Sequence, residues 1–93
     1  MQDFEILSVG KKAMQLIAEV YLATGSFPKH EMFGLTNQLR RASISVASNI
    51  AEGQGRISTG EFVQFLGIAR GSVLEVQTQL EAAKMLGSET LKN

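Results

Sequence analysis

Arg40 to Arg70, RRASISVASNIAEGQGRISTGEFVQFLGIAR, decides the fold of this chain. It reads as a helix, a sharp reversal and the opening of a longer helix. On the incoming helix Leu39, Ala42, Val46 and Ile50 recur by three and four, which sets one stripe against a partner. The other faces are small. Ser43, Ser45, Ala47, Ser48 and Ala51 keep side-chain volume low, so a neighbouring backbone can approach closely. Gly53 and Gly55 predict the stop, because glycine closes a left-handed C-cap without a Cβ clash. Ser58 with Glu61 has capping-box spacing and predicts a fresh start.

Downstream, Phe62, Leu66, Ala69, Val73, Val76, Leu80 and Ala83 alternate by four and three, the repeat of a left-handed bundle seam. A helix over about 59–86 follows, roughly 42 Å long at ~1.5 Å per residue. Phe65, Ile68 and Leu74 lie off the seam and widen the apolar face beyond what one partner covers. Gly67, Gly71 and Ser72 thin this helix in its middle and predict a close crossing with the second helix. Upstream, Leu7, Met14, Ile17 and Tyr21, backed by Ala13 and Val20, predict an amphipathic first helix over about 4–24. Gly10 inside it suggests close backbone contact, and Gly25 is its C-cap. Ser26-Phe27-Pro28 links it to a short turn. Gly34 separates that turn from the second helix, over about 35–52, and Glu31 suits the N-terminal end of that helix.

Ninety-three residues make one domain, 1–93. With one Pro and no Trp, the composition favours long helices around an aliphatic core. Cysteine is absent, which excludes disulfides and thiolate metal sites and fits a reducing cytoplasm. No apolar run approaches the ~18 residues that span a bilayer, and acids precede the first apolar run, the reverse of a secretory leader. A soluble, cytoplasmic protein is expected. Nine basic and nine acidic side chains cancel, whereas dedicated nucleic-acid binders carry a positive excess.

No residue set has the types and spacing of a catalytic site. His30, the one histidine, sits in a linker, while di-metal bundles need several inward Glu and Glu-x-x-His pairs. The loop Gly53-Gln54-Gly55-Arg56 lacks Walker spacing and a preceding strand. No enzyme activity, metal, cofactor or small-molecule substrate is expected. Arg40 and Arg41 are consecutive, about 100° apart, and cannot both face one partner. One is expected in an ion pair at the bundle edge, the other as an exposed anion contact. Asn49, Glu52 and Arg56 gather at the helix end, where they can satisfy loose backbone groups, with Arg56 able to pair with Glu52. Arg70 and Glu75 lie five apart, too far round to face each other, which directs Glu75 to Arg40 or Arg41 instead.

Several runs also carry a resemblance. Phe27-Pro28 with Glu31, Gln38 through Ala42, Ser48-Asn49-Ile50-Ala51-Glu52-Gly53, Arg56, Glu61-Phe62, and Gly71-Ser72 with Glu75 resemble the 23S ribosomal-RNA intervening-sequence protein family of small bacterial four-helix bundle proteins. The resemblance runs from about Phe4 to Leu86. It implies an all-α, antiparallel up-and-down bundle that self-associates. A relative of the family, the accessory variability protein of diversity-generating retroelements, is a pentameric bundle that binds a reverse transcriptase and nucleic acid. The chain departs from the pattern by ending at Asn93, where the family begins its last helix. Gly87 is therefore expected to cap the third helix, and 88–93 to begin a truncated fourth. Three helices must then bury faces that the pattern divides among four, which predicts a homo-oligomer.

The functional expectation is an oligomeric helical scaffold or adaptor, with a pentamer implied by the resemblance. The alternative is an RNA- or ribonucleoprotein-binding module in which Lys11, Lys12, Arg40, Arg41, Arg56 and Arg70 of several subunits line a shared surface.

Overall fold

The computed structural model describes residues 3–90, and side chains from residue 4 to residue 87. Three α-helices follow one another: α1, Asp3–Thr24; α2, Leu35–Gln54; and α3, Thr59–Thr90. A single 3-10 turn, Lys29–Glu31, bridges the first two. At about 1.5 Å per residue, the 32 residues of α3 account for the molecule's longest dimension of 48 Å.

The helix ends are held by local hydrogen bonds. The Thr24 hydroxyl donates to the Val20 carbonyl at 2.8 Å, and the Gly25 amide donates to Tyr21 O at 3.1 Å, so the last carbonyls of α1 are satisfied. Pro28, at φ −59°, immediately precedes the 3-10 turn, and its carbonyl accepts from the Glu31 amide at 3.0 Å. Gly34 then precedes α2, and its carbonyl takes the Gln38 amide at 3.0 Å. At the start of α3 the Glu61 amide donates to Ser58 Oγ at 3.1 Å, and that hydroxyl donates to Glu61 Oε1 at 3.0 Å. The Ser-x-x-Glu spacing forms its cap, with hydroxyl and carboxylate bonded to each other.

The reversal after α2 differs from the expectation. No described residue has positive φ; Gly55 sits at φ −81°, ψ −3°. The helix tightens instead of turning left-handed, with the Gly55 amide shared between Ala51 O and Glu52 O at 3.2 Å each. Gly53 lies inside α2 and is buried. A Cβ there would stand 3.0 Å from Phe62 Cδ1 and 3.0 Å from Phe65 Cβ. That glycine is required by packing.

α2 is the centre of the molecule. Leu39, Ala42, Val46 and Ile50, the stripe expected from spacing, are all buried. Ala13, Val46, Ile50 and Ala69 form one core cluster, and Val20, Leu39, Ala42 and Val76 a second, so α1 and α3 both pack antiparallel on α2. Among the described residues no Cα of α1 comes within 8 Å of a Cα of α3, although Ala13 and Ala69 share a core cluster, and this corner of the bundle is the open one. Of the expected α3 seam, Ala69, Val76 and Ala83 are buried and Phe62, Leu66 and Val73 half-buried, whereas Leu80 is exposed at 36%.

Three further expectations are corrected. On α1 the buried residues are Ala13 and Val20, with Val9 and Leu16 packed against the core, whereas Leu7, Met14 and Tyr21 are 67%, 61% and 39% exposed. The smaller stripe faces α2 because its side chains admit the closer approach. Gly10, Gly67 and Gly71 have no neighbour within 4 Å of where a Cβ would stand, so none marks a close contact within the chain. The tight crossing of α2 and α3 lies instead at Gly53 and at Ser72, whose hydroxyl is 2.8 Å from that of Ser45. Finally, α3 runs through Gly87 to Thr90, so Gly87 caps nothing and 88–90 do not begin a new helix. A glycine in a helix interior costs only about 1 kcal/mol relative to Ala and does not end the helix by itself. The rest of the expected fourth helix, 91–93, lies outside the described residues.

Candidate functional site

Two polar constellations and two open grooves surround α2. The first constellation lies between α2 and α3. Asn49 Nδ2 donates to Ser45 O at 2.9 Å and reaches Ser45 Oγ at 3.1 Å, and Ser45 Oγ meets Ser72 Oγ. Asn49 thus orients a hydroxyl pair that stitches the two helices, an internal task that leaves little capacity for a ligand. The second is at the reversal. Arg56 pairs with Glu52 at 3.1 Å, and its guanidinium carbon stands 4.6 Å from the centroid of the Phe65 ring. Glu52, Arg56, Phe65 and Gly53 together brace the turn.

Arg40 and Arg41 diverge, as their spacing requires. Arg40 Nε donates to Thr24 Oγ1 at 2.9 Å and its guanidinium lies 4.5 Å from the Tyr21 ring centroid. The ion pair expected for one of the two is replaced by a hydroxyl and an aromatic face. Thr24, buried and already bonded to its own helix, is the signal that sequence reading missed: a hydroxyl at a helix end, level with a cation on the next helix. Arg41 is exposed and lines the groove between α2 and α3 with Asn37, Gln38, Ser45, Glu75 and Gln79. Glu75 shares that groove, but no ion pair within 4 Å joins it to Arg40, Arg41 or Arg70 among the described residues. In the same groove Gln79 Oε1 is buried without a hydrogen-bond partner. On the other side of α2 an open groove of ≈ 490 Å³ is lined by Leu7, Gly10, Lys11, Met14, Ala47 and Ala51.

The six basic residues singled out are therefore not brought together. Arg40 and Arg56 are engaged within the chain. Lys11 and Arg41 line grooves on different sides of α2, and Lys12 and Arg70 are exposed elsewhere. His30 is exposed in the 3-10 turn, and among the described residues no three His, Asp or Glu side chains converge.

The family model described as 23S rRNA-intervening sequence protein matches residues 5–92, nearly the whole chain. The chain belongs to the 23S rRNA-intervening sequence protein family. No curated protein matches it. In this member of the 23S rRNA-intervening sequence family, the runs that carry the resemblance have structural jobs. Asn49, Gly53, Arg56 and Ser72 hold the α2–α3 hairpin together, and Glu52 anchors Arg56. Gly71 and Glu75 face outward and serve no contact described within the chain. No described helix of this family member is long and apolar enough to cross a membrane.

Proposed function

We propose that this protein is a non-enzymatic helical scaffold that works as a homo-oligomer in the cytoplasm, presenting an assembled surface to a partner. The observation that carries the reading is the open corner: α1 and α3 each pack closely on α2, while no Cα of one comes within 8 Å of a Cα of the other among the described residues. Large apolar side chains also remain in solvent, with Leu22 at 81%, Phe33 at 94% and Met85 at 83% exposure. Apolar surface of this extent marks interaction sites on soluble proteins. The polar constellations support binding over chemistry, since Asn49, Ser45, Ser72, Glu52 and Arg56 are spent on one another. Family resemblance supports a ring of five. Light scattering on the eluting peak tests it: a mass several times 10.1 kDa at tens of micromolar is expected, and a monodisperse folded monomer overturns the reading.

Lys11, Lys12, Arg41 and Arg70, exposed and without an ion partner among the described residues, favour a second reading, an RNA- or ribonucleoprotein-binding module. A symmetric assembly gathers such scattered bases onto one surface. Polarisation titration against structured RNA at two salt concentrations tests it. An affinity that falls steeply with salt supports RNA binding, and no binding at low salt removes it.

A further inference from the structure

The open corner between α1 and α3 carries a pattern of its own. On α1, Val9, Lys12 and Leu16 follow one another by three and four; on α3, Leu66, Arg70 and Val73 follow by four and three. Such spacing puts each trio on one flank of its helix. Val9, Leu16, Leu66 and Val73 all pack against the cluster that holds Ala13 and Ala69, and all four are only half-buried, so the two flanks form the walls of the corner. Lys12 and Arg70 are the sequence neighbours of Ala13 and Ala69, which sets the two bases at about the same height. Neither has an ion partner among the described residues, and no acid stands three or four residues from either. Two turns to either side of Lys12, on the same flank, lie Glu5 and Glu19.

We propose that this corner seats an amphipathic helix of a partner protein, one whose apolar stripe is bordered by a carboxylate midway along it. The proposal rests on the scaffold reading above and supplies the chemistry of the partner. A helix fits because the two walls run parallel and present apolar ridges spaced by three and four, into which the ridges of another helix interdigitate. A carboxylate fits because Lys12 and Arg70, both positive and at one height, repel each other across the corner until an anion lies between them. The outer sites complete the match: a base two turns before the acid and another two turns after it meet Glu5 and Glu19. No helix of this chain carries base, acid and base at seven-residue spacing, so a second copy is the poorer occupant. RNA is poorer too. A phosphate backbone would satisfy the two bases but leave Val9, Leu16, Leu66 and Val73 uncovered and meet Glu5 and Glu19 with charge of their own sign.

Two synthetic helical peptides, each as long as the 22 residues of α1, are the probes. Both carry a leucine stripe with lysines two turns before and after its midpoint; at the midpoint border one has Glu and the other Lys. By fluorescence polarisation the Glu peptide is expected to bind the wild-type protein about ten-fold more tightly than the Lys peptide. Lys12→Glu combined with Arg70→Glu is expected to reverse that order, while Lys29→Glu, in the 3-10 turn, leaves it unchanged. All three side chains are exposed, so the helical spectrum stays that of wild type. Equal affinity for the two peptides, or a preference that survives the double reversal, overturns the proposal. Binding of neither peptide overturns it as well, and the double variant then names the other occupant: a fall in oligomer mass gives the corner to a second copy, a fall in affinity for structured RNA gives it to RNA. The two readings fail separately. An assembled protein that takes neither peptide overturns this proposal alone, and a monomer that prefers the Glu peptide overturns the assembly alone.

Discussion

Gly53 shows how a residue can be singled out by sequence and have its role supplied only by structure. Its place before the reversal suggested a left-handed cap, yet its backbone is helical and its missing side chain is what admits Phe62 and Phe65. Gly53→Ala must push against Phe65 Cβ, which lies next to the backbone and has little freedom to move. We expect it to destabilise the fold by about 1–3 kcal/mol, read as a lower urea midpoint at an unchanged m-value. The two arginines give a paired prediction. Arg40→Met removes the bond to Thr24 and the contact with Tyr21 and should cost about 1–2 kcal/mol, whereas exposed Arg41→Glu should leave the unfolding midpoint within about 0.5 kcal/mol of wild type. Arg41→Glu is therefore the charge reversal suited to an RNA titration, since loss of binding would not be confounded by loss of fold. At this scale the spacing of Arg40 and Arg41 established that they diverge. It could not say which one turns inward, because the partner is a threonine sixteen residues away and not a carboxylate.

The elements were legible wherever the sequence states a boundary twice. α3 begins where Ser58 and Glu61 announce it, and Ser58→Ala should weaken that end by about 1 kcal/mol, visible as faster hydrogen exchange of the Glu61 and Phe62 amides. The far end had one signal, Gly87, and one glycine does not stop a helix that still has turns to add. α1 was read as amphipathic correctly, with Ala13 and Val20 rightly on its buried face, but with Leu7, Met14 and Tyr21 where Val9 and Leu16 stand. Two seven-residue series run along it, Leu7-Met14-Tyr21 and Val9-Ala13-Leu16-Val20, and hydrophobicity alone favours the larger residues. Which series faces α2 depends on the size of what it meets, and Ser43 and Ala47 call for small partners. Helix periodicity is a property of one segment, while the choice between two such stripes belongs to the pair.

For the whole molecule, three helices, their order and the central place of α2 follow from the pattern, and the surface on which a partner would sit does not. The bases that charge counting singles out lie on different faces, and the apolar flanks that call for cover are recognised only once the core is known. A mass well above 10.1 kDa is the expectation for the assembled state. The arrangement around α2 also bears on kinetics. Each interhelical interface joins segments adjacent in the chain, so no long loop must close before a contact is rewarded, and the free chain should fold within microseconds to milliseconds, on the order seen for local helical topologies. Either hairpin can nucleate without waiting for the other, and a temperature-jump experiment should record two relaxations when one hairpin is weakened by Gly53→Ala, in place of a single shared one.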